Sequence, residues 1–358
     1  MIRISSAGVI RSYRSNLMRS RVNLETARQT ATDFKQFRSF SDNPVAATRS
    51  FNLIRSYGKT DNYYQNSKSV TERLDQVWSS AMDVSDLADK IDADISNGMN
   101  GTMDLDARKL YAQTIRGNME SMVQSLNAKY NEDFLFGGQA TTEAPFTLDD
   151  DYNLYYRGIN VDTGKYKDGT DATLPLADGK VLVGMEVLEH FSKENLYVDI
   201  GLSMKNNNGS VGGFASSSDI NMSSAMDISM PGINVIGFGV DADGNPKNAI
   251  SQLREIAKEF DSKDFSFDKM SEMRNRFADT RNDIRKSIST MDTRADFVKT
   301  NTERLKKTSD SLYAQISDLT EVDPAMAYMD LTFAQTYYNS AIKIGTSILD
   351  QSFIDYMR

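Results

Sequence analysis

DPAMAYMDLTFAQTYYNSAIKIGTSILDQSFIDYMR, residues 323–358, is the stretch whose reading decides the fold. No charged residue lies between Leu331 and Ile342. Ala327, Leu331, Ala334, Tyr338, Ala341, Gly345 and Ile348 recur at steps of four and three, the spacing of one helical face. Met326, Phe333, Tyr337 and Ile344 widen that stripe onto a second flank, and Thr332, Gln335, Thr336, Asn339 and Ser340 occupy the rest. A helix exposed on a soluble monomer normally gives its outer face to Lys and Glu. Small and apolar residues on most sides, with amides elsewhere, predict a helix surrounded by other helices.

The other end of the chain supplies a match. Ile10, Tyr13, Leu17, Ser20, Leu24, Ala27, Ala31 and Phe34 step by three and four in alternation, a heptad seam within a helix expected over residues 1–40. Several seam positions are small, so the helices approach closely but bury little area, and either helix alone is marginal. Residues 1–40 carry eight Arg and Lys against Glu25 and Asp33 only. The arginines are spread around the helix with no aromatic or glycine-rich reading module beside them, which argues for a charged face awaiting an acidic protein surface and against nucleic acid.

Between the ends the period changes twice. Asn43 caps a new helix with Pro44 in its first turn. Val70, Leu74, Val77, Ala81, Val84, Ala88, Ile91 and Ile95 form its stripe, with Trp78 expected in the core beside them. A third helix begins near Asp104, runs through Ala112, Ile115, Met119, Met122 and Leu126, and is expected to end near Tyr130. Residues 141–250 hold thirteen of the 21 glycines and four of the six prolines, and the helical period vanishes there. Leu196–Leu202 alternates as a strand; Lys180–Leu188, Tyr152–Tyr156 and Ile233–Val240 are further strand candidates, with turns at Asp178-Gly179 and Asp243-Gly244-Asn245. The segment is also acidic, with sixteen Asp and Glu against seven Lys and Arg. After a short helix at 250–260, the apolar face from Met270 to Leu319 runs uninterrupted by Gly or Pro, a rod of about 75 Å as a helix.

The expected fold is mainly α with a β-rich insertion. The N- and C-terminal regions form a long antiparallel helical bundle or coiled coil, and an outer, mostly β domain lies between them. Residues 1–40 and 324–358 are the terminal assembly helices, 41–140 and 251–323 a helical rod, and 141–250 the outer domain. The candidate interface is Ile10, Tyr13, Leu17, Leu24, Ala27 and Ala31 with Leu331, Ala334, Tyr338, Ala341, Gly345 and Ile348.

Chemistry is hard to find. There is no cysteine, hence no disulfide, thiol nucleophile or thiolate metal site. His190 is the one histidine and sits in no nucleophile elbow. Gly212-Gly213 and Gly237-Phe238-Gly239 match no phosphate loop. Asp149-Asp150-Asp151 and Asp241-Ala242-Asp243-Gly244-Asn245 are incomplete as calcium loops, and the second reads better as a hairpin turn. Asn208-Gly209-Ser210 is a glycosylation sequon of low information. No cofactor or metal is implied, and no stretch is apolar for long enough to span a bilayer. Met1-Ile2-Arg3-Ile4-Ser5-Ser6 lacks the apolar core of a cleaved secretory signal.

Several segments together resemble the flagellin superfamily of bacteria, most of all its hook–filament junction branch. Met1–Ser6 is similar to the family's opening. Ser41-Asp42-Asn43-Pro44-Val45-Ala46-Ala47 resembles its Ser-Asp-Asp-Pro-x-Ala-Ala segment. Phe136-Gly137-Gly138 with Thr141, Thr142, Pro145 and Phe146 resembles the turn into its outer domain, and Val322-Asp323 before a charge-poor helix resembles its end. One departure is Thr32-Asp33-Phe34-Lys35, where the family has a Ser-Gly-Lys-like turn. The resemblance covers residues 1–146 and 270–358. It implies a structural protein of the flagellum, not an enzyme, located outside the cell at the hook–filament junction and exported unfolded without a cleaved signal. The implied partners are copies of itself in a ring, hook-associated protein 1, flagellin, and the export chaperone and type III apparatus. Neither nucleic acid nor membrane insertion is implied. The alternative within the superfamily is a filament subunit.

Overall fold

The computed structural model describes residues 6–101, 103–176, 179–202 and 225–356, with side chains in the terminal helices from residue 8 to residue 347. In chain order the elements are α1 (Ser6–Asp33), α2 (Pro44–Gly98), α3 (Leu105–Leu126), β1 (Lys129–Tyr130), β2 (Asp133–Phe134), β3 (Phe146–Leu148), β4 (Leu154–Tyr156), β5 (Ile159–Asn160), β6 (Thr173–Pro175) and β7 (Val181–Val183). There follow α4 (Met185–Ser192), β8 (Tyr197–Asp199), β9 (Ala225–Asp227), α5 (Ile233–Ile236), α6 (Ala249–Asp261), α7 (Phe267–Thr320) and α8 (Pro324–Tyr356). The fold is mainly α, with long terminal helices packed together and small antiparallel strand pairs between the helices.

Helix starts follow local chemistry. Asn43 Oδ1 accepts from the Ala46 amide at 3.0 Å and Pro44 opens α2, as the cap-then-proline order requires. Asp104 caps α3 through the Ala107 amide, Asn248 caps α6 through Ile250 and Ser251, and the Asp323 carboxylate accepts from Ala325 at 2.7 Å ahead of α8. Each places an oxygen over otherwise unpaired first-turn N–H groups.

The chain divides into two compact units, residues 1–61 with 306–358 and residues 62–305. In the second, one core unites Val70–Ile95 of α2, Ala112–Leu126 of α3, Ile250–Phe260 of α6 and Met270–Val298 of α7 with strand residues Phe146, Leu154, Tyr156 and Ile159. The β-rich segment is thus packed into the helical core. β3, β4 and β5 form an antiparallel meander with Phe146 opposite Tyr156 and Tyr156 opposite Ile159. Arg157 and Gly158, both at positive φ (50° and 80°), make its two-residue turn. Asn127, just past α3, pins the sheet by donating to the Phe146 carbonyl and accepting from its amide.

Four expectations for the middle of the chain need correction. Ile233–Val240 is not a strand: 233–236 is a single helical turn, set off by Gly232 and ended by Gly237 at φ 82°. Lys180–Leu188 is a strand only at Val181–Val183, after which Gly184 at φ 60° starts α4. α3 ends at Leu126, because Lys129–Tyr130 pairs with Asp133–Phe134 instead. Trp78 is 38% exposed at the edge of the α2 stripe, outside the core. Leu196–Leu202 does carry a strand, β8, paired with β9. The Asp243-Gly244 turn forms with Gly244 at φ 82°, while Asp178 and Asn206–Ser218 lie outside the described residues.

Candidate assembly surface

The first unit brings the two chain ends together. α1 packs along α8, and the residues facing inward are those of the two stripes. Ile10, Tyr13, Leu17, Leu24 and Ala27 are half-buried and Ala31 is buried; Leu331, Ala334, Tyr338 and Ala341 are half-buried and Ala327 and Gly345 buried. Ile348 lies within α8, but its side chain is outside the described residues. Small residues let the backbones approach, and Gly345 sits directly against the phenol of Tyr13.

α1 ends at Asp33, earlier than residue 40, because the chain turns there. Phe34 adopts φ 53°, the left-handed conformation that glycine takes without cost. Its carbonyl accepts from Val322 and the Gln36 amide donates to Thr320, both at 2.8 Å, so the turn forms a short antiparallel bridge with the α7–α8 connection. The Phe34 ring meets Tyr328 edge-on at 6.0 Å. Arg38 grips Asp33 with two hydrogen bonds of 2.6 and 2.7 Å. Those bonds, then the Lys35 amide, hold the Asp33 carboxyl below its usual range. Asp42 is lowered likewise by the Arg38 and Ser39 amides. The left-handed position of this turn is thus held by a strained phenylalanine, with a local ion pair beside it.

Outside the seam, the unit is uncovered. Met326, Met329, Phe333, Tyr337 and Ile344 run along one flank of α8 and all are at least half exposed, Tyr337 reaching 67%. Met18 and Val22 of α1 and Val45, Phe51 and Ile54 of α2 are equally bare. A groove of about 620 Å³ lined by Phe40, Val45, Arg49 and Leu53 opens beside the start of α2. Soluble monomers rarely leave so many large apolar side chains in water. Arg11, Arg14, Arg19, Arg21 and Arg28 are exposed, and among the described residues none forms an ion pair. Gln335 and Asn339 are exposed, whereas Thr332 and Thr336 donate back to their own helix.

Among the described residues, the second unit shows no comparable row of exposed apolar side chains on one helix. His190 is exposed in the last turn of α4 beside Phe191. Asp149 and Asp241 are used the same way: each carboxylate accepts from the backbone two and four residues on and from the amide side chain of Asn153 or Asn245. Both clusters are turn chemistry. A buried ion pair escaped the sequence reading. Glu194, whose side chain is 5% exposed, receives both 2.9 Å bonds of Arg157 and the Gln139 amide, and the Arg157 guanidinium stacks over Phe191 at 3.9 Å. Its partners are 37 and 55 residues away with no motif to connect them, so no sequence signal could have found it.

The geometry defines a class of protein: paired terminal helices with a bare apolar flank, and a second unit of helices and short strands formed by the intervening sequence. Among solved structures, this fold matches a Vibrio parahaemolyticus protein provisionally named as flagellar hook-associated, with a TM-score of 0.53 at 17% identity over 78% of this chain and 100% of that one. The chain therefore shares that protein's fold over 78% of its own length. FlgL of Bacillus cereus (TM-score 0.45, 13% identity, 74% and 99% of the two chains) and hook-associated protein 3 of Legionella pneumophila (0.45, 9%, 75% and 98%) are also similar. No protein-family model and no curated protein sequence matches the chain.

Proposed function

We propose that this chain is a structural subunit of the bacterial flagellum that joins hook to filament. It would form a ring between hook-associated protein 1 and the first flagellin subunits, after export in an unfolded state through the type III apparatus with the help of an export chaperone. In this reading residues 1–40 and 324–358 form the inner layer, 41–140 and 251–323 the helical middle, and 141–250 the outer domain. The protein acts by shape and adhesion, without catalysis.

The observation that carries the reading is the bare flank of α8 in a unit whose seam is otherwise made. Among the described residues, the α1–α8 seam buries only the small residues Ala31, Ala327 and Gly345, so it holds the helices weakly by itself. Covering Phe333, Tyr337 and Ile344 with neighbouring copies supplies the missing apolar burial. The fold likeness and the segment resemblances at both chain ends support the same assignment. The unpaired arginines of α1 suit an acidic face on a neighbouring subunit.

Deleting the gene tests it. The junction role requires cells with intact hooks, no filaments and flagellin released into the medium. Normal filaments would refute it, and loss of filaments without any secreted flagellin would identify the chain as flagellin.

A further inference from the structure

We propose that Met18, Met326 and Met329 are oxidation-sensitive positions that control whether the free subunit can assemble. The chain has 18 methionines and no cysteine, so thioether sulfur is its only readily oxidised sulfur. Their burial is sharply partitioned. Met119, Met122 and Met270 are fully enclosed, Met230, Met273 and Met291 are nearly so, and Met82, Met99, Met103, Met185 and Met226 are half-buried. Among the described residues only Met18, Met326 and Met329 are exposed, at 60%, 54% and 50%. All three lie on α1 and α8, in the first unit.

Their positions make the chemistry consequential. Met326, Met329, Phe333, Tyr337 and Ile344 follow one another at helical spacing, so the two sulfurs open the apolar row of α8. Met18 adjoins the seam residue Leu17 on α1. A hydroperoxide transfers one oxygen to such a sulfur: the O–O bond breaks, an S–O bond forms, and the other oxygen leaves as water or alcohol. Sulfur is oxidised by two electrons and the peroxide reduced by two. The product turns a flexible apolar side chain into a polar one, which suits water and not an apolar contact. In the free subunit these sulfurs are open to oxidant; once the row is covered they are shielded. The control, though not the sensitivity, rests on the assembly role proposed above.

The test has two arms. Purified full-length protein is exposed to hydrogen peroxide and its peptides are mapped by mass. Met18, Met326 and Met329 should gain oxygen on the order of tenfold or more faster than Met119, Met122 and Met270, which react only when local opening exposes them. Equal rates would overturn the sensitivity. In the second arm, treated and untreated protein is supplied to hook-bearing cells lacking the gene, alongside a variant carrying Met18→Leu, Met326→Leu and Met329→Leu, near-isosteric changes that oxidant cannot touch. Peroxide should abolish most filament restoration by the native protein and leave that by the variant intact. Equal loss in both, or loss in neither, would overturn the control. If untreated native protein restores no filaments, the assembly role fails and the control with it, while the mass map still decides the sensitivity.

Discussion

Gly345 of α8 rests against the ring and hydroxyl of Tyr13 of α1, so closely that a methyl group at 345 would overlap the phenol. This contact of the terminal seam joins residues more than three hundred positions apart in sequence. Gly345→Ala forces Tyr13 out of its rotamer or α8 away from α1. The expected cost is about 1–3 kcal/mol, typical of overpacking. Adding Tyr13→Ala to Gly345→Ala should recover part of that loss, so the double variant is more stable than the summed single changes imply. Thermal unfolding followed by circular dichroism measures it.

Phe34 makes a second, opposite prediction. At φ 53° a side chain strains the backbone by about 1–2 kcal/mol, while the Phe34 ring recovers some energy against Tyr328. Phe34→Ala keeps the strain and loses the ring. Phe34→Gly loses the ring but relieves the strain, so it should be more stable than Phe34→Ala by about 1 kcal/mol, the reverse of the usual helix order of these residues. Urea denaturation of the two variants side by side decides it.

Asp92 sets an acid limit on the second unit. Burial pushes its carboxyl up, but the Arg274 hydrogen bonds and the charges of Arg281 and Arg274 outweigh this and hold it below the usual carboxylate value. A depressed folded pKa means the stabilisation is complete above the unfolded pKa, about 3.9, and fades as pH falls through the lower folded value. Asp92→Asn should cost about 1.5–3 kcal/mol near neutral pH, as for hydrogen bonds to charged groups. The gap between native protein and variant should shrink below pH about 4.

Asn301 ties the β8 region to the helices. Buried in α7, it donates to the Ile200 carbonyl at 2.9 Å and to Ser67 of α2 at 3.3 Å, and accepts from Arg304 at 2.7 Å. Asn301→Ala strands the Ile200 carbonyl in a dry site, which should cost about 1–3 kcal/mol. The accompanying local sign is faster amide exchange at Tyr197–Asp199, with little change in α3. Uniform acceleration throughout the unit would show that Asn301 supports the whole core and not this attachment.

The helical parts of the fold were legible because each rests on short-range rules. Ile10 through Ala31 and Ala327 through Gly345 are the inward positions of α1 and α8 because period alone selects a face. Asn43-Pro44 and Asp323-Pro324 mark helix starts because capping is local. The β-rich region was less legible. Ile233, Val235 and Ile236 are apolar and β-branched as in a strand, yet Gly232 and Gly237 confine them to one helical turn against the core. Trp78 reads as core by composition, but its angle on α2 places it at the margin. The Arg157–Glu194 pair depends on a tertiary approach that no spacing encodes. The turn at Phe34 was visible only as a departure from the family pattern; its left-handed backbone gives that departure a physical meaning.

The central claim is that the α8 flank is covered by other subunits in the flagellum, and cysteine protection tests it most directly. The native chain has no cysteine, so a single Tyr337→Cys change gives one addressable thiol on the bare flank. A Lys167→Cys change at an exposed position of the second unit serves as the reference. A maleimide should label both variants readily as free subunits. In isolated flagella, labelling at residue 337 should fall at least about tenfold while labelling at 167 persists, since a covered thiol reacts only through rare opening. Equal labelling of residue 337 in free subunits and in flagella would contradict the account.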